Sequence, residues 1–120
     1  RNKVSTVKIH RHCFTQDLAT AQRWLRAFPN LYIGLTPIVY QPSGRLRELV
    51  EYIDDGRLLI ETDAPYFLPK FFKQPEYGRL SHSHPGMGFL VAASIAHVKR
   101  KPLTEVLHKI RQNTRKLYGI

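Results

Sequence analysis

Two short runs carry the side chains best suited to chemistry, His10-Arg11-His12-Cys13 and Glu61-Thr62-Asp63-Ala64-Pro65-Tyr66. Imidazole nitrogen and carboxylate oxygen together form a donor set for zinc, manganese or a similar divalent ion. An ion held there polarises a phosphoryl oxygen and lowers the pKa of a bound water. Each half also has a blander reading. His12 at a strand end can be a packed histidine bonded to a backbone carbonyl. Asp63 ahead of Ala64-Pro65 can simply open a turn, since Asp suits turn starts and Pro fixes φ. Taken singly, the blander readings win. The pair becomes a metal-site candidate only if the fold brings both strand ends into one crevice.

In α/β folds the reacting groups gather at the C-terminal ends of the strands. Val7 and Ile9 alternate with Lys8 and His10, which predicts a strand from Val7 to Cys13. Leu18, Ala21, Leu25 and Phe28 then recur at helical spacing until Pro29-Asn30. Leu31 to Leu35 reads as a second strand ending at Thr36, and Pro42-Ser43-Gly44 marks a loop. Leu46, Leu49, Val50 and Ile53 predict a second helix, stopped near Asp54-Asp55-Gly56. The segment from Arg57 to Thr62 holds Leu58-Leu59-Ile60, a continuous apolar run expected of a strand buried on both faces.

The stretch from Ala64 to Pro85 differs, with Pro65, Pro69, Pro75 and Pro85 among several aromatics. It predicts a long loop, and loops of this length usually have a function or lack order. Met87, Leu90, Val91, Ser94, Ile95 and Val98 predict a third helix, with Pro85 suited to its first turn. Leu103 through Leu117 predict a fourth, ended by Gly119. Helix-length connections between buried strands imply parallel pairing and an α/β class. Three parallel strands leave two edges bare, so the complete fold is expected to need more strands than this chain supplies.

The 120 residues are the size of one small domain, and 42% are apolar, which favours a folded segment. No apolar run approaches the roughly 20 residues of a membrane span. The opening Arg1-Asn2-Lys3-Val4 has neither an initiator Met nor a signal-like block. It gives no indication of export and fits a fragment. Cys13 is the only cysteine, so no internal disulfide forms, which fits an intracellular setting, nucleus or cytoplasm. Nineteen basic residues against nine acidic ones give a formal charge of +10. That excess favours polyanionic partners such as nucleic acid. The basic block from Lys99 to Lys116 reads mainly as the solvated face of terminal helices.

Three blocks then carry a resemblance. His12-Cys13-Phe14-Thr15 is similar to an HCF motif closed by Ser or Thr. Leu59-Ile60-Glu61-Thr62-Asp63-Ala64-Pro65-Tyr66 matches an ETDAPY motif, the most specific of the three. Asn113-Thr114-Arg115-Lys116-Leu117-Tyr118 is similar to a closing pattern of Asn, a small residue, Leu and an aromatic. In this order and spacing the chain resembles the TatD-type metal-dependent deoxyribonucleases, and within them the vertebrate-type second TatD-domain branch. The resemblance implies the C-terminal part, about strands six to eight, of a TIM-type (β/α)8 barrel, with residues 1–120 forming one incomplete segment. It implies phosphodiester hydrolysis with a two-metal centre of Mg, Mn or Zn, acting on nucleic acid with DNA favoured over RNA.

By that resemblance His12 is a metal ligand, and Asp63 is both a ligand and a candidate base for the attacking water. The role of Glu61 stays open. Arg11, Arg45 and Lys70 are candidate phosphate contacts. Tyr66, Phe67, Phe71 and Phe72 are candidates to stack on bases, with rim packing the favoured reading for Phe71 and Phe72. His84 is read as a helix-start or substrate-side residue, His82 as exposed, and Cys13 as a packed small residue. The family's first-strand HxHxD, its mid-barrel Glu and its strand-five His lie outside this chain, and two ligands do not close a two-metal site. The chain alone is therefore expected to be inactive. Gln16 stands where the family usually has Gly, which puts that loop in question. Two alternatives remain: a basic nucleic-acid-binding module without catalysis, and a small-molecule metallohydrolase on the same barrel.

Overall fold

The computed structural model describes residues 6–40, 43–69, 72, 76, 78 and 80–120. Three strands, β1 (Ile9–Arg11), β2 (Leu31–Leu35) and β3 (Leu58–Ile60), form a parallel sheet in the order β1-β2-β3. Ile9 pairs with Leu31, and Ile33 pairs with Leu58. Four α-helices join and follow them: α1 (Leu18–Ala27), α2 (Gly44–Tyr52), α3 (Gly88–Lys99) and α4 (Leu103–Tyr118). No helix among the described residues is long and apolar enough to cross a membrane.

Period-two alternation decides which side of the sheet meets the helices. Leu31, Ile33 and Leu35 are all fully buried and pack with Leu58 into the helix layer. Leu46, Leu49 and Val50 of α2 enter the same core, as do Val91, Ala92 and Ile95 of α3. Helix α3 packs against both α2 and α4, which explains why it is apolar over most of its surface. Alternation leaves Gly34 facing the other way, beside His10 and Glu61.

The ends of the elements have local causes. Asp17 caps α1 by accepting the Thr20 N–H at 2.8 Å. Gly119 closes α4 with a left-handed φ of 72°, a conformation glycine adopts at little cost. Arg57 donates to the carbonyls of Leu31 at 2.6 Å and Phe28 at 2.8 Å, tying the entry of β3 to that of β2. Buried Asn113 on α4 donates to the carbonyls of Asp55 at 2.7 Å and Leu58 at 2.8 Å. The closing sequence block thus has a structural task at the start of β3.

The predicted strands are longer than the observed ones. β1 stops at Arg11 rather than Cys13, because the backbone turns sharply there and Cys13 takes a φ of 46°. Arg57 belongs to a 3-10 turn (Asp55–Arg57) rather than to β3, although the Glu61 N–H still donates to the Leu35 carbonyl at 2.9 Å. Pro85 opens a 3-10 turn (Pro85–Met87) that leads into α3, which begins at Gly88. Among the described residues between β3 and that turn there is no strand and no α-helix.

Candidate metal centre

The parallel pairing sets the ends of β1 and β3 on either side of β2, and residues just beyond those ends converge. The Nδ1 of His12 lies 2.9 Å from Glu61 Oε2, and its Nε2 lies 3.5 Å from Asp63 Oδ1. His12, Glu61 and Asp63 are the one group of three among the described residues whose donor atoms approach closely enough to hold an ion, all within 4.8 Å. What lets the two outer strands approach is a glycine. A Cβ on Gly34 would lie 2.4 Å from His10 Nε2 and 2.7 Å from the Glu61 carboxylate. Any larger residue would displace one of them.

Within the group the oxygens are already divided. Glu61 Oε1 accepts the backbone N–H of Cys13, and Oε2 accepts from His12 Nδ1. A proton on Nδ1, donated to Glu61, would leave the Nε2 lone pair available on the side of Asp63. This is the carboxylate–histidine arrangement that fixes a ligating imidazole in one tautomer. In that tautomer Glu61 would orient His12, and His12 Nε2 with Asp63 Oδ1 could share an ion. Their 3.5 Å separation suits two ligands each about 2.0–2.2 Å from a common ion. The hydrogen bond to Glu61 and that residue's charge raise the His12 pKa above its ordinary value; Asp63 adds to this, while burial and Arg11 oppose it.

Cys13 is held as a neutral thiol. Burial pushes its pKa up first, helped by the hydrogen bond to and charge of Asp63, and Thr36 acts the other way. A raised pKa disfavours the thiolate that a nucleophile needs.

The other candidate residues divide. Arg11 points away from the cluster, because neighbouring strand residues face opposite sides. Its guanidinium lies over the rings of Phe14 and Trp24, 5.8 and 5.6 Å from their centroids. Its NH1 lies 3.5 Å from the His12 carbonyl, so the guanidinium sits beside the backbone of the centre rather than among its donor atoms. Tyr66 is 72% exposed, and its backbone N–H donates to the Asp63 carbonyl at 2.8 Å. Phe67 beside it is partly exposed, and Phe72 is partly buried. His84 accepts the Gly86 N–H on Nδ1 at 3.0 Å and so caps the 3-10 turn ahead of α3. His82 is exposed and contacts Ser81. Arg45 is exposed on the first turn of α2. Lys70 and Phe71 lie outside the described residues.

In the sequence alone Glu61 had no settled role, and His10 and Gly34 were given none. Two signals were present: Glu61 and Asp63 are two residues apart, and a glycine inside an apolar strand often marks a close approach.

Known proteins share this sequence and this fold. The description "TatD related DNase" matches residues 1–119. The chain is 39% identical over 114 residues to the human 3'-5' RNA nuclease TATDN2, covering 94% of this chain and 15% of that protein. It is 33% identical over 110 residues to the uncharacterized metal-dependent hydrolase YcfH of Escherichia coli K12, covering 91% of this chain and 38% of that one. The chain thus spans well under half the length of both relatives. The crystal structure of YJJV, a TatD homolog from E. coli K12, superposes with a TM-score of 0.77 at 24% identity, over 93% of this chain and 40% of that one. The shared fold is the C-terminal part of a TIM-type α/β hydrolase barrel. With nearly its whole length matched, the chain belongs to the TatD-related DNase family.

Proposed function

We propose that residues 1–120 form the C-terminal segment of a single barrel domain and supply part of a divalent-metal centre that hydrolyses phosphodiester bonds in nucleic acid. The observation that carries this is the His12 Nε2 and Asp63 Oδ1 pair, with the other nitrogen of His12 held by Glu61. The name of the E. coli relative, a metal-dependent hydrolase, supports the same chemistry.

In this reading His12 and Asp63 hold the ion. When bound, it supplies Lewis acidity to a phosphoryl oxygen and a water of lowered pKa. Glu61 keeps the His12 lone pair free by retaining the Nδ1 proton. Asp63 has a second carboxylate oxygen, which makes it a candidate to orient the attacking water and take its proton. The formal charge of +10 draws a polyanionic substrate to the surface. The expected preference for DNA over RNA finds no support, since the family description says DNase and the human relative is named an RNA nuclease. The substrate is therefore put forward as nucleic acid without a choice of sugar. Mg, Mn and Zn all suit the donor set.

The test uses Mn²⁺. The expected result is that the chain takes up Mn²⁺ and that both Asp63→Asn and His12→Ala weaken that uptake at least tenfold. In a protein carrying this segment together with the rest of a barrel, Asp63→Asn abolishes metal-dependent cleavage of labelled single-stranded DNA or RNA. Cleavage unaffected by Asp63→Asn would sink the assignment. A second reading, a binding module without catalysis, is favoured by the charge alone. It predicts nucleic-acid binding that salt removes and a chelator leaves unchanged.

A further inference from the structure

The Glu61 carboxylate has a neighbour that the metal reading leaves without a task, His10, which in turn meets Tyr118. His10 lies on β1, and its side chain is 22% exposed. Its Nδ1 is 2.6 Å from the hydroxyl of Tyr118, the last residue of α4, and the two rings meet edge-on at 6.1 Å. Its Nε2 is closed to solvent and has no aligned hydrogen-bond partner, yet it lies 2.9 Å from Glu61 Oε2. Electrostatics then decides where the ring proton sits. A proton on Nδ1 would set the Nε2 lone pair against a carboxylate oxygen, away from water, which is costly. A proton on Nε2 removes that repulsion and leaves Nδ1 free to accept the Tyr118 O–H. The carboxylate oxygen that faces His10 is also the one bonded to His12 Nδ1 at 2.9 Å. A continuous line therefore runs from Tyr118 through His10 and Glu61 to His12.

We propose that His10 and Tyr118 are positioning residues: they hold the Glu61 carboxylate and so keep His12 protonated on Nδ1, with Nε2 free toward Asp63. The value of this line to function rests on the metal reading of His12 and Asp63 given above. Gly34 is part of the device, because only a residue without Cβ lets His10 and Glu61 approach.

Nitrogen-15 NMR of the metal-free chain, at a pH where both rings are neutral, reads the tautomers directly. The expected pattern is a proton on Nε2 of His10 and on Nδ1 of His12. Tyr118→Phe removes one hydroxyl from a side chain that is 57% exposed, so the fold survives. Tyr118→Phe and His10→Leu lower the Nδ1-protonated fraction of His12 and weaken Mn²⁺ binding by about tenfold, the lower end of what lost orienting partners cost. His10→Gln keeps an N–H near Glu61 and restores part of both. An unchanged His12 tautomer in both variants overturns the proposal. Altered tautomers in a chain whose wild type takes up no Mn²⁺ support the positioning line and overturn the metal reading instead.

Discussion

Gly34→Ala tests the architecture of the centre at its tightest point. The backbone of Gly34 does not need glycine's special conformations, since its φ is not in the left-handed region. The constraint is space alone. The new methyl would stand 2.4 Å from His10 Nε2 and 2.7 Å from the carboxylate carbon and one oxygen of Glu61. Ordinary contact begins near 3.4 Å, so the nearest atom must retreat by about 1 Å. His10 is held at its far side by Tyr118, and Glu61 by His12 and the Cys13 N–H, so neither moves without losing a partner. Overpacking of this kind costs about 1–3 kcal/mol. Releasing Glu61 also frees His12 to rotate, and lost orientation of a ligand weakens metal affinity about 10–100-fold. Urea unfolding reads the first effect and Mn²⁺ titration the second. Adding His10→Ala to Gly34→Ala removes the closest clash and should recover part of the stability. A Gly34→Ala chain with unchanged stability and unchanged Mn²⁺ affinity would refute the reasoning.

Asn113→Ala removes the buried amide donor from the Leu58 carbonyl and from the Asp55 carbonyl, which keeps only the Leu58 N–H, and should destabilise the chain by about 1–3 kcal/mol in urea unfolding. Asp55 provides a pH signature. Burial pushes its carboxyl up, but hydrogen bonds and charges from Lys101 and Lys99 outweigh that and hold it below the usual carboxylate value. The lowered folded value means the stabilisation is full above the unfolded pKa of about 3.9 and is lost as pH falls through the folded one. Urea midpoints taken between neutral pH and about pH 3 should therefore fall more steeply for the wild type than for Asp55→Asn. For the metal, the raised pKa of His12 means that its ring is protonated over more of the range below neutrality. Mn²⁺ affinity should fall with decreasing pH, beginning above the ordinary histidine value of about 6.5. Glu61→Gln, which removes the chief cause of that shift, should move the midpoint lower.

The parts of the fold that sequence made legible are those where one period dominates. Leu31 to Leu35 is a strand at its predicted bounds, because a continuous apolar run between turn residues admits little else. The four helices follow their apolar spacing to within a few residues. β1 was less legible, since the alternation from Val7 to Cys13 does not reveal that β2 pairs with only Ile9, His10 and Arg11. At the centre, His12 and Asp63 were visible as residue types at strand ends. The role of Glu61 was not, because it depends on two donors that β1 brings from about fifty positions upstream in sequence. The surroundings of Arg11 were hidden for a related reason: a strand-end position does not reveal a face, and here the guanidinium lies over Phe14 and Trp24.

The contact of Asn113 with the start of β3 has a consequence for the chemistry at the other end of that strand. A strand slipped by one residue turns every side chain to the opposite face. For β3 such a slip would bring Thr62 to the position of Glu61 and take away the carboxylate that reaches His12 Nδ1. The Asn113 amide grips the carbonyls of Asp55 and Leu58 together, and a slipped strand would carry Leu58 out of its reach. One buried amide on the last helix thus works as a register pin. Its loss would appear in metal titrations as a defect of the centre, although Asn113 does not touch it.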